Sequence, residues 1–318
     1  MPEKISIVLT ARNEEEYISA CISSIQKQTF QNWELIAVDD HSTDETLNIL
    51  LQLSQQDNRI TVLSNTGEGI IPALTLAYSK TTGQFITRMD ADDLMPEDKL
   101  ETLYQLLDKK SGYIATGKVR YFSEGILSEG YQKYEDWLNE LCSTHTHWDW
   151  VFRECVIASP NWLCHRDCID QIGGFEGLVY PEDYDLVLKW FRAGIPIIST
   201  NKITHLWREH SERTSRNSLI YEQKSFFQLK LQHFAAHFTT SNVLIAGRGS
   251  KAKLTQSILT TDNLPVKRIE TEKELLNLPF NHSNTILLLA FLPDSTTEYL
   301  FKKLCDNNYI LGQSLFVL

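Results

Sequence analysis

Asp90-Ala91-Asp92-Asp93 sets three carboxylates directly after the β-rich run Phe85-Ile86-Thr87-Arg88-Met89 and before the helix-start pattern Leu94-Met95-Pro96-Glu97-Asp98. Carboxylates crowded at the end of a strand repel one another unless a cation or hydrogen-bond donors hold them, so the cluster predicts a metal site. Side chains alternate along a strand, which puts Asp90 and Asp92 on one face while Asp93 enters the turn. Hard oxygen ligands suit Mg2+ or Mn2+, and these ions commonly carry a diphosphate. A solvated acidic turn with a helix cap is the plainer alternative, and the rest of the chain weighs against it.

The 318 residues hold 30 Lys and Arg against 41 Asp and Glu, a formal charge of −11. This balance excludes a general nucleic-acid backbone binder, which needs a basic stripe. An acidic chain that handles a nucleotide must gather positive charge locally, and a divalent ion does so compactly. No apolar run reaches the roughly 18 residues of a membrane-spanning helix, and Met1-Pro2-Glu3-Lys4 lacks the layout of a secretory signal. The expectation is a cytoplasmic protein. Its six cysteines, at 21, 142, 155, 164, 168 and 305, are irregularly spaced and are expected to be reduced thiols.

The elements that must position the acidic cluster alternate in type. Ile5 to Leu9, Glu34 to Val38, Ile60 to Leu63 and Phe85 to Met89 read as strands. Between them lie a helix carrying Tyr17, Ile18, Cys21, Ile22 and Ile25, a second opened by a Ser42 and Glu45 capping box, and a third from Ile70 to Lys80. This order predicts an α/β fold with a doubly wound, mainly parallel sheet. Ligands bind such sheets beyond the carboxyl ends of the strands. Polar groups stand at three of those ends: Thr10-Ala11-Arg12-Asn13-Glu14, Asp39-Asp40, and the Asp90 cluster.

Residues 111 to 240 are less regular. They contain Trp137, Trp148, Trp150 and Trp162, the turn Gly173-Gly174-Phe175, and Tyr180-Pro181-Glu182-Asp183-Tyr184-Asp185 opening an amphipathic helix. A long helix from about Leu219 to Phe238 closes the segment, with a boundary near residues 239–242. Beyond it, Val243 to Ala246 runs into Gly247-Arg248-Gly249-Ser250, followed by a strand from Thr285 to Leu292 and a helix from Thr296 to Asp306. That is a small Rossmann-like α/β module over 241–318. It lacks the third glycine of the dinucleotide fingerprint and reads as a structural or interaction module. Cys164 and Cys168 with His165, His145 and His147 match no zinc-ligand spacing.

Ile5 to Glu14, Asp39 to Asp44, Gly83-Gln84-Phe85 into Asp90 to Asp93, Gly173-Gly174-Phe175 and Glu182-Asp183 occur in an order that resembles the family 2 glycosyltransferases, inverting enzymes of the GT-A fold. The resemblance covers roughly the first 215 residues and implies a glycosyltransferase domain over 1–240, with a nucleotide-binding half, 1–110, and an acceptor-binding half, 111–240. It implies that Asp40, assisted by Asp39, hydrogen-bonds the base of a nucleotide sugar, usually UDP-linked. Thr10 and Asn13 would lie beside base and ribose, with Arg12 in the same donor-binding set. Asp92 and Asp93 would contact ribose and a Mn2+ or Mg2+ ion, and Asp90 completes the motif. Arg208 and His210 would lie near the diphosphate, His210 as a further metal ligand, with Arg213 another source of positive charge. The loop Gly67 to Pro72 carries no basic residue where the family commonly does, and Thr75 stands where asparagine is frequent.

The same resemblance makes Asp183 the base that deprotonates an acceptor hydroxyl, with Glu182 orienting it or binding acceptor and Trp162 stacking on an acceptor sugar. The acceptor class it implies is a growing surface polysaccharide or a lipid-linked saccharide, which would bring the protein to the inner membrane face without spanning it. A sugar nucleotidyltransferase and a non-catalytic nucleotide-sugar-binding protein remain as alternatives. The first should show a Gly-rich loop with a basic residue after strand one, and the second has no need of Asp183.

Overall fold

The computed structural model describes residues 3–108, 110–123, 125, 127–210, 213, 222–262, 264–281, 285–291 and 298–318. They form two compact units, one of residues 1–145 and 157–219, the other of 146–156 and 220–318.

The first unit is built on strands β1 (Ile5–Ala11), β2 (Trp33–Asp39), β3 (Ile60–Ser64), β4 (Phe85–Asp90), β5 (Ile114–Phe122), β6 (Trp162–His165) and β7 (Ile197–Arg208). They lie in the order β3-β2-β1-β4-β6-β5-β7. Only β6 runs against its neighbours β4 and β5 in this sheet; β5 and β7 are parallel, as are β1 to β4. Helices α1 (Ile18–Gln26), α2 (Thr46–Gln56), α3 (Ile70–Ser79) and α4 (Lys99–Leu107) connect the first five strands. On α1 the buried residues Ile18, Cys21, Ile22 and Ile25 recur at helical spacing and share one core with Leu9, Leu35 and Met89. Each such aliphatic side chain contributes about 1.5–3 kcal/mol on leaving water.

Helices α5 (Glu129–Thr144), α6 (Arg166–Asp170) and α7 (Glu182–Arg192) also belong to this unit. The β5 and β7 pair is the part that periodicity missed. Register shifts around Lys118 interrupt the alternation that would reveal it, and β7 is long enough to carry Arg208 up to the acidic end of β4. One helix start also differs from expectation. Ser42 accepts the Asn13 N–H instead of capping α2, whose Thr46 N–H is taken by Asp44 Oδ1 at 3.0 Å. Asn13 adopts a left-handed φ of 57° in the loop before α1.

The second unit holds α8 (Gln223–His237), β8 (Asn242–Ala246), α9 (Ser250–Thr261), β9 (Val266–Ile269), α10 (Glu272–Leu276), β10 (Thr285–Leu289), α11 (Glu298–Asp306) and β11 (Leu315–Val317). Its four strands pair in parallel in the order β11-β10-β8-β9. Helix α8 and residues 146–156 fall in this second unit. Phe234 packs edge-on against Phe152 at 5.2 Å and Phe152 against Phe316 at 5.2 Å, so α8 shares its core with β11. Residues 219–221, 292 and 296–297, expected at the ends of helices and a strand, lie outside the described residues.

Candidate active site

Sheet register assembles the site. Thr10 pairs with Val38 on one side and Asp90 on the other, and Ala11 pairs with Asp39, so the carboxyl ends of β1, β2 and β4 lie abreast. Side-chain bonds then lace the loops after β1 and β2 together. Asn13 Oδ1 accepts the Thr43 N–H at 2.8 Å, and the Glu14 N–H donates to Thr46 Oγ1 at 2.7 Å. Asn13 thus serves the loop rather than standing open beside it.

Asp39 and Asp40 are both buried, and their surroundings differ. Asp40 Oδ1 accepts from Asn65 Nδ2 at 2.6 Å, and both Asp40 oxygens lie 3.1 Å from the Gly69 N–H. Arg12, largely exposed, approaches Asp40 Oδ2 at 3.9 Å. Gly69 needs its φ of +91°, and a Cβ there would strike the Tyr180 hydroxyl at 2.8 Å. Asp40 therefore anchors the loop between β3 and α3. Asp39 Oδ2 accepts a long bond from the Ser42 N–H, while its buried Oδ1 has no partner among the described residues.

The acidic motif splits into three environments. Asp90 Oδ1 accepts from Arg88 Nε at 2.8 Å. Loss of solvation raises the Asp90 carboxyl above its ordinary range, and the Arg88 charge opposes the rise. Asp92 Oδ2 stands 3.0 Å from His210 Nε2, both side chains partly exposed. Asp93 is fully buried. Its Oδ1 accepts the Arg208 N–H at 2.7 Å and its Oδ2 lies 2.8 Å from His205 Nε2. Burial pushes Asp93 well up, reinforced by Asp92 and Asp90, and pushes His205 well down. Both oxygens of Asp93 are engaged within the protein, where it ties β7 to the end of β4.

Asp92 and His210 offer one hard oxygen and one imidazole nitrogen. Such a pair fits Mn2+ or Mg2+, ions that take remaining ligands from phosphate and water. Among the described residues no group of three or more His, Cys, Asp or Glu converges on one metal position. Arg208 donates from Nε to the Asp92 carbonyl at 2.7 Å, and its guanidinium lies 4.6 Å from the ring centres of both Tyr17 and Phe122. Arg213 donates to Glu209 at 3.0 Å.

At the start of α7, Glu182 is buried against Arg88, whose Nη1 lies 3.0 Å from Glu182 Oε1. An inward, ion-paired Glu182 does not face an incoming acceptor. Asp183, the next residue, is less enclosed and accepts the Tyr184 N–H through Oδ1 at 2.8 Å. Loss of solvation raises its carboxyl to about 7; Glu182 adds to the rise and Arg88 opposes it. Trp162 is a core residue: its Nε1 donates to the Ser159 carbonyl at 2.7 Å and its ring meets Trp190 edge-on at 5.2 Å. This corrects the expectation that it stacks on an acceptor sugar.

Sequence reasoning passed over Arg88, His205 and Asn65. The signal for Arg88 was present, since two residues before Asp90 on a strand is the same face. His205 was hidden with β7, and nothing local marked Asn65.

Comparison with known proteins points in one direction. A family model described as glycosyl transferase family 2 matches residues 6–173. Glycosyltransferase GlyG of Streptococcus pneumoniae serotype 4 is 28% identical over 220 residues, 66% of this chain and 72% of its own length. A protein of Haemophilus influenzae named as an uncharacterized glycosyltransferase is 35% identical over 221 residues, 66% of this chain and 67% of its own. Among solved structures, S. aureus TarS 1-349 in complex with UDP-GlcNAc covers 97% of this chain and 81% of its own, with a TM-score of 0.59 at 15% identity, a likeness of fold.

Proposed function

The chain belongs to glycosyl transferase family 2, and from that premise we propose that it moves a hexosyl or N-acetylhexosaminyl group from a UDP-sugar to a hydroxyl of a saccharide or lipid-linked saccharide, inverting the anomeric centre. The observation that carries this reading is the bridge from Asp90 through Arg88 to Glu182, which holds the head of α7 against the acidic end of β4, where loss of solvation raises the Asp183 carboxyl to about 7. A base poised near neutrality takes a proton at the working pH and gives it up again. The TarS structure of the same fold is a complex with UDP-GlcNAc, which supports the choice of donor class.

In this mechanism Asp39 and Asp40 receive the base of the donor beyond β2. The unpartnered Oδ1 of Asp39 has capacity for a base N–H, and Asp40 holds the loop that borders it. Asp92 and His210 would hold the divalent ion, which would supply Lewis-acid stabilisation of the charge growing on a departing diphosphate. Arg208, fixed across the Asp92 carbonyl, adds positive charge at the same strand end. Asp183 takes the proton of the acceptor hydroxyl as its oxygen bonds the anomeric carbon, and the bond from that carbon to the phosphate oxygen breaks on the opposite face. Among the described residues no helix is long and apolar enough to cross a membrane.

A panel of UDP-hexoses and UDP-N-acetylhexosamines, scored by thermal shift with and without Mn2+, tests the donor. A metal-dependent shift with a UDP-sugar is expected. UDP release that proceeds unchanged in Asp183→Asn would overturn the assignment of the base.

A further inference from the structure

We propose that Arg88 is a positioning residue that sets the place of the base Asp183 relative to the donor-holding end of β4, acting through Glu182. The inference rests on the reading of Asp183 as base. An inverting transfer requires its base and its leaving group at a fixed separation on opposite faces of one carbon, and a displacement of 1 Å costs about 100-fold in rate. Here the two come from segments far apart in the chain, the turn after β4 and the first turn of α7.

Arg88 spans that interval. Its Nε donates to Asp90 Oδ1 at 2.8 Å and its Nη1 to Glu182 Oε1 at 3.0 Å. The guanidinium is planar and rigid, so one group fixes both carboxylates at once, which a lysine ammonium on a flexible stem does not. Arg88 and Glu182 are almost wholly buried, so bulk salt screens their pairing little. Burial also removes Arg88 from contact with a donor. Its influence reaches the reaction through Asp90, two residues before Asp92, and through Glu182, one residue before Asp183. If the arginine is lost, Asp90 and Glu182 keep their charges without this counter-ion beside the base.

A purely structural role would lower melting temperature and the active fraction, and would weaken donor binding as much as turnover. Positioning predicts a different split. In Arg88→Lys, UDP release per active site should fall about 100-fold while the dissociation constant for UDP with Mn2+ stays within about threefold. Glu182→Gln, nearly isosteric and expected to fold even if an Arg88 variant does not, should show the same split. The double variant should lose about as much turnover as the worse single variant, because both changes cut one linkage.

Turnover within about twofold of the parent in Arg88→Lys and Glu182→Gln, losses that multiply in the double variant, or UDP affinity falling in step with turnover would each overturn the bridge. If Asp183→Asn is inactive and Arg88→Lys is not, the bridge alone fails. If Asp183→Asn keeps its turnover, the base assignment and the bridge fall together.

Discussion

The two sheets of this chain put different chemistry at equivalent places. At the carboxyl ends of β1, β2 and β4, buried carboxylates meet Arg88, Arg208, Asn65 and backbone N–H groups. Beyond β8 the corresponding turn is Gly247-Arg248-Gly249, where Arg248 Nε donates to the Glu270 carbonyl and a Cβ on Gly249 would meet open space. Both sheets offer the topology in which ligands bind. In the first, Asp90 and Glu182 are held by the opposite charge of Arg88, and Asp40 and Asp93 by hydrogen-bond donors. In the second, the one charged side chain of the turn donates to a carbonyl beyond the end of β9. Reactive sites are marked by that retained charge more than by the sheet beneath.

The sharpest way to break this contrast is Asp183→Asn, expected to lower turnover about 1,000-fold while UDP binding persists, as read by UDP release beside calorimetric titration. The pH profile belongs to the same test. With a carboxyl at about 7, kcat/KM should rise with pH through that value. Stability should run the other way. The folded chain keeps this proton up to about pH 7 and the unfolded chain releases it near 4, so the contribution of Asp183 to stability declines across that interval. Denaturant titrations at pH 5 and 8 in parent and Asp183→Asn check the sign, since the variant should lack that part of the decline.

His210→Ala comes next. The Mn2+ concentration for half-maximal UDP release should rise at least about 10-fold, measured at fixed donor. An unchanged metal dependence would remove His210 from the ion. Asn65→Ala is expected to destabilise the first unit by about 1–3 kcal/mol in urea unfolding, because the buried Asp40 loses a donor. The smallest effect belongs to the second sheet. Gly249→Ser, at the start of α9 with an extended φ of −72°, should raise stability by about 0.5 kcal/mol and leave UDP release untouched. A loss of transfer there would give the second sheet a share in the reaction.

Alternation and helical spacing located β1 to β4 and α1 to α3 to within a few residues, because each buries one regular stripe against a neighbour close in sequence. They also brought the carboxylates of β2 and β4 to one edge, since strand order alone implies it. The pair β5 and β7 escaped, because its strands are separated by more than 70 residues and its alternation is broken around Lys118. Trp162 and Asp93 show the same limit at single residues. A tryptophan is equally at home on a sugar or in a core, and an aspartate in an acidic run equally at home on a metal or on a histidine.

What the sequence determined by itself is which groups are present and which strand ends carry them, for local periodicity and the order of elements are properties of neighbours along the chain. Which carboxylate is shielded, which is paired and which is raised to about 7 was decided only by the tertiary structure. Arg88 meets Glu182 and Asp93 meets His205 across 94 and 112 residues, and solvation and charge act through space, not along the backbone.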